Sequence, residues 1–139
     1  MLDYNGTLAI DGRLLAGVKP RLNRLAPLVA VHVITADTFG KARESLRGVH
    51  CTLEILKRGG EDRAKAALVR RLAARRVACI GNGRNDRLML RSAALGIGTV
   101  QREGAALEAV QAADIVVRDV SDALDLLLKP RRLIATLRS

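Results

Sequence analysis

Residues 77–86 read VACIGNGRND, an apolar run followed at once by a glycine-rich polar turn. The run predicts a short buried strand over residues 77–80, and the residues after the turn predict a helix over residues 86–93. The same succession recurs along the chain. Other apolar runs predict strands over residues 29–35, 51–56, 95–100 and 114–117. The segments between them have helical patterns and predict helices over residues 39–47, 61–74, 104–112 and 121–128. Asp37 or Thr38 is the expected cap of the first of these helices, and Ala67 is expected on the apolar face of the second.

Alternating strands and helices are typical of an α/β fold in which a parallel sheet is buried between helices. We therefore expect a Rossmann-like three-layer sandwich with a mostly parallel sheet. The length of 139 residues predicts a single domain over residues 1–139, and the 49% hydrophobic content is enough for one core.

The composition also bounds where the protein works. No run reaches the ~18 apolar residues that a membrane span needs, and the first residues lack the segments of a secretory signal. We therefore expect a cytoplasmic protein that does not enter a membrane. Two cysteines and two histidines without ligand spacing disfavour a zinc site and a catalytic triad.

The chain carries a formal net charge of +10, mostly from arginine. Such a charge attracts anions, which include phosphate esters, acidic surfaces and nucleic acid. The aromatic content of 1% disfavours modules that stack single-stranded bases. Nucleic acid therefore stays open as a partner on charge alone.

Three polar segments follow predicted strands, and in an open parallel sheet the ligand site lies beyond the carboxyl ends of the strands. The first is residues 3–8, DYNGTL; the second is residues 34–37, ITAD; the third is residues 81–86, GNGRND. A lysine, Lys65, opens the amphipathic helix that precedes the third segment. We expect these residues to meet at one edge of the sheet.

The residue types at this edge suit phosphoryl transfer. The carboxylate of Asp3 can attack phosphorus and form an acyl phosphate. The glycine turn that follows offers N–H groups for phosphate oxygens, and Thr35 adds a hydroxyl. Lys65 can neutralise charge, and Asp86 can hold Mg²⁺. Positioning and charge neutralisation dominate this reaction, so these are the required parts.

In the order of these motifs the chain resembles the haloacid dehalogenase (HAD) superfamily of aspartate-nucleophile phosphotransferases, and within it the small soluble P-type-ATPase-like members. The family opens with D-x-D-G-T-L, matched by DYNGTL from Asp3. Its second motif, a strand ending in Thr or Ser, is matched by VIT at residues 33–35. Its lysine is matched by KAALV from Lys65, and its G-D-G-x-N-D by GNGRND at residues 81–86.

The resemblance implies a role for each matching residue. Asp3 would be the nucleophile and Asn5 would stand at the acid/base position. Phosphate would be bound by Gly6, Thr7, Thr35, Ala36 and Lys65. Magnesium would be held by Asp3, Asn5, Asn82 and Asp86. The substrate would be a phosphorylated molecule.

Two departures from the motifs predict weakened catalysis. Asn5 replaces the family's acid/base aspartate, and the loss of such a group commonly costs about 10²–10⁴-fold in rate. Asn82 replaces an aspartate that usually binds the metal, so one negative charge is lost. The alternative is a catalytically weak or inactive module that binds a phosphorylated ligand on the same scaffold.

The segments where the family inserts a cap domain, residues 9–28 and 36–64, are too short to hold one. An open site predicts a large substrate, or a second copy of the chain that closes the site in a homo-oligomer. Three arginines lie within or just after the third polar segment: Arg84, Arg87 and Arg91. They either bind anionic parts of the substrate or lie in solvent.

Overall fold

A six-stranded parallel sheet forms the centre of the fold. The computed structural model describes residues 1–37 and 40–138. Its sheet strands are β1 (Leu2–Asp3), β4 (His32–Thr35), β5 (Thr52–Ile55), β6 (Ala78–Gly81), β7 (Leu95–Thr99) and β8 (Ile115–Val117). They lie in the order β5-β4-β1-β6-β7-β8, and neighbouring strands are parallel. A small antiparallel hairpin of β2 (Ala9–Ile10) and β3 (Arg13–Leu14) follows β1.

Helices cover both faces of the sheet. On one face lie α1 (Val18–Leu25), α2 (Ala42–Ser45) and α6 (Val120–Leu128). On the other lie α3 (Glu61–Arg71), α4 (Arg87–Ser92) and α5 (Leu107–Ala112). The last helix, α7 (Pro130–Leu137), packs on α6. The predicted α/β, Rossmann-like three-layer arrangement is therefore confirmed.

Alternation along the strands explains the two layers. Successive side chains of a strand point to opposite faces of the sheet. In β4, Val33 packs in the core under α1 and α6, whereas Ile34 packs in the core under α3 and α4. In β6, Ile80 and Cys79 divide in the same way. Strands buried on both faces are apolar throughout, which is why their sequence pattern was readable.

Some predicted boundaries differ from the observed ones. The strand predicted from residue 29 begins at His32, and Val29 is exposed. The helix predicted over residues 61–74 ends at Arg71, because Ala73 takes a left-handed backbone conformation with φ 64°. A 3₁₀ turn, Ala74–Arg76, follows. The buried face of α3 includes Lys65 and Val69 but not Ala67, which the pattern had placed inside.

The helix predicted over residues 39–47 is observed as the shorter α2, Ala42–Ser45. Asp37 accepts hydrogen bonds from the N–H groups of Lys41 and Ala42, both at 3.0 Å, so it serves the start of the helix as predicted. Thr38, the other predicted cap, and Phe39 lie outside the described residues.

Within residues 1–37 and 40–138 the fold has no cap domain, as predicted. Between β1 and β4 the chain inserts only the hairpin and α1, and between β4 and α3 it inserts α2 and β5. Across the described ranges, no helix has the length and apolar character to cross a membrane.

The order of the strands positions the site. After β1 the chain builds β4 and β5 on one side of it, then returns to build β6, β7 and β8 on the other. Ligand sites in open α/β sheets lie where the order reverses in this way. Asp3, Thr35 and Gly81 end the three central strands at this edge.

Candidate active site

A buried ion cluster lies at the centre of the sheet edge. The Lys65 Nζ is 2.6 Å from Asp3 Oδ1 and 2.7 Å from Asp86 Oδ1. All three residues are buried, with relative exposures of 6% for Asp3, 1% for Lys65 and 0% for Asp86. They come from the end of β1, the second turn of α3 and the 3₁₀ turn before α4. Sequence reasoning placed these three groups together, and the structure brings them into contact.

Burial and mutual contact shift the pKa values of two residues in this cluster, Asp3 and Lys65. Burial raises the pKa of Asp3 to about 7, the negative charge of Asp86 adds to the rise, and Lys65 opposes it. Burial by itself would lower the pKa of Lys65, but the carboxylates of Asp3 and Asp86 outweigh it and raise that pKa. Lys65 therefore stays charged. Two carboxylates against one ammonium leave a net negative charge that attracts a further cation.

Asp86 is held rigidly from two sides. Its Oδ2 accepts hydrogen bonds from the N–H groups of Asn82 at 3.0 Å and Gly83 at 2.8 Å, while its Oδ1 contacts Lys65. Gly81 makes room for it, since a Cβ at that position would lie 2.6 Å from the carboxylate carbon. The last residue of GNGRND, Asp86, is thus hydrogen-bonded to backbone groups of the same segment.

Asn82 joins two loops through its amide. Its Nδ2 donates to the carbonyl oxygen of Gly104 at 3.0 Å, and its Oδ1 accepts from the hydroxyl of Thr7 at 3.1 Å. A carbonyl oxygen can only accept, so the nitrogen end of the amide has to face Gly104. The oxygen that was expected to bind metal therefore already accepts one hydrogen bond, from Thr7, and its metal role stays a prediction.

Asn5 is held on one side only. Its Nδ2 donates to Thr35 Oγ1 at 3.3 Å, and that hydroxyl oxygen also accepts from the N–H of Asp37 at 2.9 Å. The Asn5 Oδ1 is buried and has no hydrogen-bond partner within the described ranges. A buried acceptor without a partner is costly, which marks this oxygen as one that a ligand would satisfy.

The turn after Asp3 is tighter than expected. Gly6 has φ 76°, and a Cβ there would lie 2.5 Å from Asn82 Nδ2, so only glycine fits. The N–H of Gly6 donates to the carbonyl oxygen of Ala9, and the N–H of Thr7 donates to the carbonyl oxygen of Tyr4. Each N–H has one hydrogen, and both are used inside the turn. The donation expected from Gly6 and Thr7 to phosphate would require these bonds to open, and it stays a prediction.

Thr35 and Ala36 lie at the rim of the same edge. Thr35 is buried at the end of β4, and Ala36 follows it and is half-buried. Their places fit the roles expected of them, and those roles remain predictions.

Gln101 was missed by sequence reasoning. Its Nε2 donates to the carbonyl oxygens of Gly6 at 3.0 Å and Thr7 at 2.8 Å, and its Oε1 accepts from the N–H of Val120. It ties the turn after Asp3 to the start of α6. The only available signal was its place just after β7, at the same edge of the sheet as Asp3.

The arginines beside the third motif are engaged at the surface. Arg84 pairs with Glu108 at 2.8 Å and Arg87 pairs with Asp62 at 2.8 Å. Arg91 is exposed. For Arg84 and Arg87 the contacts favour surface ion pairs over direct binding of a substrate.

The donor set is suited to a hard divalent cation. The described ranges hold no group of three or more His, Cys, Asp or Glu side chains arranged for a metal, because asparagines stand at positions 5 and 82. Magnesium, however, commonly uses one or two carboxylates and completes its shell with water and phosphate oxygens. Asp3 and Asp86 supply two such carboxylates at the sheet edge, and the part expected of Asn5 in holding a metal stays a prediction.

Comparison with known proteins gives a sequence relative and a set of structural neighbours. No family model matches the chain. The uncharacterized protein MJ0073 of Methanocaldococcus jannaschii is 44% identical over 86 residues, which cover 59% of this chain and 92% of the relative.

Solved structures share the whole architecture at low identity. A 3-deoxy-D-manno-octulosonate 8-phosphate phosphatase from Moraxella catarrhalis, solved with magnesium, phosphate and KDO, has a TM-score of 0.75 at 16% identity. The match covers 99% of this chain and 91% of that one. A protein described as a HAD superfamily (subfamily III A) hydrolase from Legionella pneumophila has a TM-score of 0.76 at 18% identity and covers 94% and 81%.

A P-type pump domain has the same fold. The catalytic domain of the CPx-ATPase CopB-B has a TM-score of 0.67 at 19% identity, with coverage of 82% of this chain and 45% of that one. At these identities the neighbours establish the fold, and the relative of higher identity establishes kinship. The chain belongs to the same family as MJ0073 and has the fold of the HAD superfamily phosphatases.

Proposed function

We propose that this protein is a metal-dependent phosphatase or phosphotransferase in which Asp3 attacks phosphorus. The observation that carries the proposal is the buried contact between the Asp3 carboxylate and the Lys65 ammonium at the switch point of the sheet. A buried ion pair of this kind contributes little net stability against apolar residues of similar size, so stability alone does not explain it. A nucleophile beside a charge-neutralising group does.

The reaction would run in two steps. An Asp3 oxygen forms a bond to phosphorus while the bond from phosphorus to the leaving oxygen breaks, which produces an aspartyl phosphate. Lys65 offsets negative charge as the phosphoryl group approaches Asp3 and Asp86. Water then attacks phosphorus, and the bond to Asp3 breaks to restore the carboxylate. Positioning and electrostatics supply most of the catalysis in such transfers.

A divalent cation, for which magnesium is the natural candidate, completes the charge balance. The cluster carries a net negative charge, so a phosphate dianion meets repulsion unless a cation is added. Asp3, Asp86 and Asn5 are the residues that would hold it, with Asn82 restricted by its hydrogen bonds to Thr7 and Gly104. When bound, the cation would neutralise phosphoryl oxygens and help to align them.

The two asparagines predict a slow enzyme. Asn5 stands next to Asp3 in the site but has no proton to exchange at neutral pH, so it cannot protonate a leaving oxygen or activate water. Asn82 adds no negative charge for a cation. We therefore expect turnover well below that of a site with carboxylates at these two positions.

The substrate would be a phosphorylated molecule that an uncovered site can admit. The neighbour from Moraxella catarrhalis was solved with phosphate and KDO, and the described part of this chain has no cap over the edge that holds Asp3. A large phosphorylated substrate, or a second copy of this chain that covers the site, would exclude water.

The direct test compares wild type with Asp3→Asn in the hydrolysis of an aryl phosphate with Mg²⁺. Asp122→Asn, at an exposed position of α6, is the matched control. We expect Asp3→Asn to abolish turnover and Asp122→Asn to keep it. Turnover by Asp3→Asn at the wild-type rate would exclude Asp3 as the nucleophile.

A second candidate is a module that binds a phosphorylated ligand without catalysis, which the amides of Asn5 and Asn82 favour. Beryllofluoride mimics a phosphoryl group on a carboxylate. Asp3-dependent binding of beryllofluoride with Mg²⁺, together with no turnover of any phosphate ester, would select this candidate.

A further inference from the structure

The groups around Asp3 carry charge but offer no proton relay. Its immediate neighbour Lys65 is held between two carboxylates, and Asp86 accepts three hydrogen bonds. Other polar side chains at this edge of the sheet are amides and hydroxyls, which do not exchange protons readily at neutral pH: Asn5, Thr35, Asn82 and Asn85. The carboxylate of Asp37, which follows Thr35, is turned to the start of α2, where its Oδ1 accepts from the N–H groups of Lys41 and Ala42.

The residues that could relay protons lie elsewhere. His32 begins β4, at the opposite end of that strand from Thr35, and His50 is exposed before β5. Cys79 lies inside the core under α3 and α4, and burial raises the pKa of its thiol. Among the described residues, none of these groups contacts Asp3.

A site without a proton donor discriminates among phosphate esters by their leaving groups. An alkoxide is a poor leaving group unless it receives a proton as the bond to phosphorus breaks. A carboxylate leaves as a stable anion and needs none. The charges at Asp3, Lys65 and Asp86 can therefore support transfer from an acyl phosphate, whereas an alkyl phosphate lacks the proton it needs.

We propose that this site takes acyl phosphates as its phosphoryl donors and that the phosphoryl group then persists on Asp3. The proposal rests on the function proposed above and names its substrate class. In the first step the Asp3–phosphorus bond forms, and the bond from phosphorus to the donor's acyl oxygen breaks. The electron pair leaves with that oxygen, which departs as a carboxylate with no proton transferred.

The second step is the slow one. A water molecule that attacks phosphorus has to lose a proton, and the amide of Asn5 cannot accept it. Hydrolysis of phospho-Asp3 is therefore retarded by about the 10²–10⁴-fold that a general base supplies. Transfer of the phosphoryl group to Asp3 is then faster than its release from Asp3 to water, so the phosphorylated protein accumulates.

The test uses acetyl phosphate as the acyl donor and glycerol phosphate as the alkyl donor, each with the full chain and Mg²⁺. Intact-mass spectrometry follows the protein. We expect acetyl phosphate to add one phosphoryl group, absent in Asp3→Asn, and glycerol phosphate to add none. Peptide spectra of the same sample check that Asn5, which precedes glycine and is prone to deamidation, is still an amide.

Two variants separate a proton effect from a charge effect. Asn5→Asp is expected to raise glycerol phosphate turnover by about 10²–10⁴-fold and to remove the accumulated phosphoprotein. Asn85→Asp adds a carboxylate at a position whose Oδ1 lies 3.4 Å from the Lys65 Nζ, and it is expected to keep the wild-type preference for the acyl donor. Equal gains in the two variants would overturn the proposal.

The outcomes also distinguish this proposal from the proposed function. Wild-type turnover of glycerol phosphate as fast as that of acetyl phosphate, with no phosphoprotein, overturns the substrate class and leaves Asp3 chemistry intact. No Asp3-dependent phosphorylation or turnover with either donor overturns both. Because the wild-type comparison does not depend on the folding of Asn5→Asp, it decides the matter alone if that variant fails to fold.

Discussion

The two sides of the active site treat their asparagines differently. On the Asn82 side both ends of the amide are hydrogen-bonded, the oxygen to Thr7 and the nitrogen to Gly104. On the Asn5 side the nitrogen contacts Thr35, and the buried oxygen has no partner in the described part of the chain. The amide of Asn82 joins two loops by hydrogen bonds, whereas the amide of Asn5 has a buried oxygen that no described residue satisfies.

The difference shows that the same replacement, asparagine for aspartate, has two physical meanings. A carboxylate at position 82 would put an oxygen against the carbonyl oxygen of Gly104, so the amide there serves the fold. A carboxylate at position 5 could not donate to the hydroxyl oxygen of Thr35, but that hydroxyl can donate to the carboxylate instead. Function is therefore easier to alter through Asn5 than through Asn82.

The largest expected effect tests the group that both sides share. Lys65→Met leaves Asp3 and Asp86 buried without a cation, and removing one partner of a buried ion pair typically costs about 3–5 kcal/mol. Urea unfolding at pH 8 measures the loss. Lys129→Met, at an exposed pair with Asp125, is the control and should cost less than about 1 kcal/mol. Equal losses would mean that the cluster does not hold the two sides together.

A smaller effect tests the comparison itself. Asn82→Asp should lower the free energy of unfolding by about 1–3 kcal/mol, because the Gly104 carbonyl loses its donor and faces a carboxylate. It should not raise turnover, even though it restores a charge. Urea unfolding and aryl phosphate hydrolysis measure the two quantities. A gain in turnover at unchanged stability would make Asn82 equivalent to Asn5 and break the comparison.

A change of one pH unit has the smallest expected effect, and it concerns Asp3, which lies on the Asn5 side. Its pKa in the folded protein is about 7, against an ordinary value of 3.8, so between these values the folded protein holds a proton that the unfolded chain has lost. Stability should therefore fall as the pH rises from about 4 to 7, by at most about 1.4 kcal/mol per pH unit. The raised pKa of Lys65 does not enter this window, since it acts only at alkaline pH.

Unfolding at a series of pH values checks this expectation. Asp3→Asn removes the titrating group, and its stability curve should be flatter than that of wild type between pH 4 and 7. A curve of equal slope in the variant would show that Asp3 is not the group that titrates.

Much of the fold could be read from the chain because the strands are buried on both faces. Residues 77–80 are apolar without interruption and residues 29–34 are apolar except for His32, and the three polar segments that follow strands marked one edge of the sheet. Element ends were less accurate. The end of α3 depends on the left-handed conformation of Ala73, which no pattern announces.

The candidate site divides in the same way. Local sequence identified Asp3, Lys65 and Asp86, because each follows a strand or opens a helix in a recognisable pattern. It did not identify Gln101, whose contacts with Gly6 and Thr7 join residues that are far apart along the chain.

The order of apolar and polar residues by itself determined an α/β architecture and the edge where chemistry would take place, since burial and periodicity are local properties. Only the tertiary structure decided which atoms at that edge are satisfied. Hydrogen bonds between distant segments occupy the amide of Asn82 and spare the oxygen of Asn5. Two identical side chains thereby acquire different roles, because their partners come from packing rather than from their neighbours in sequence.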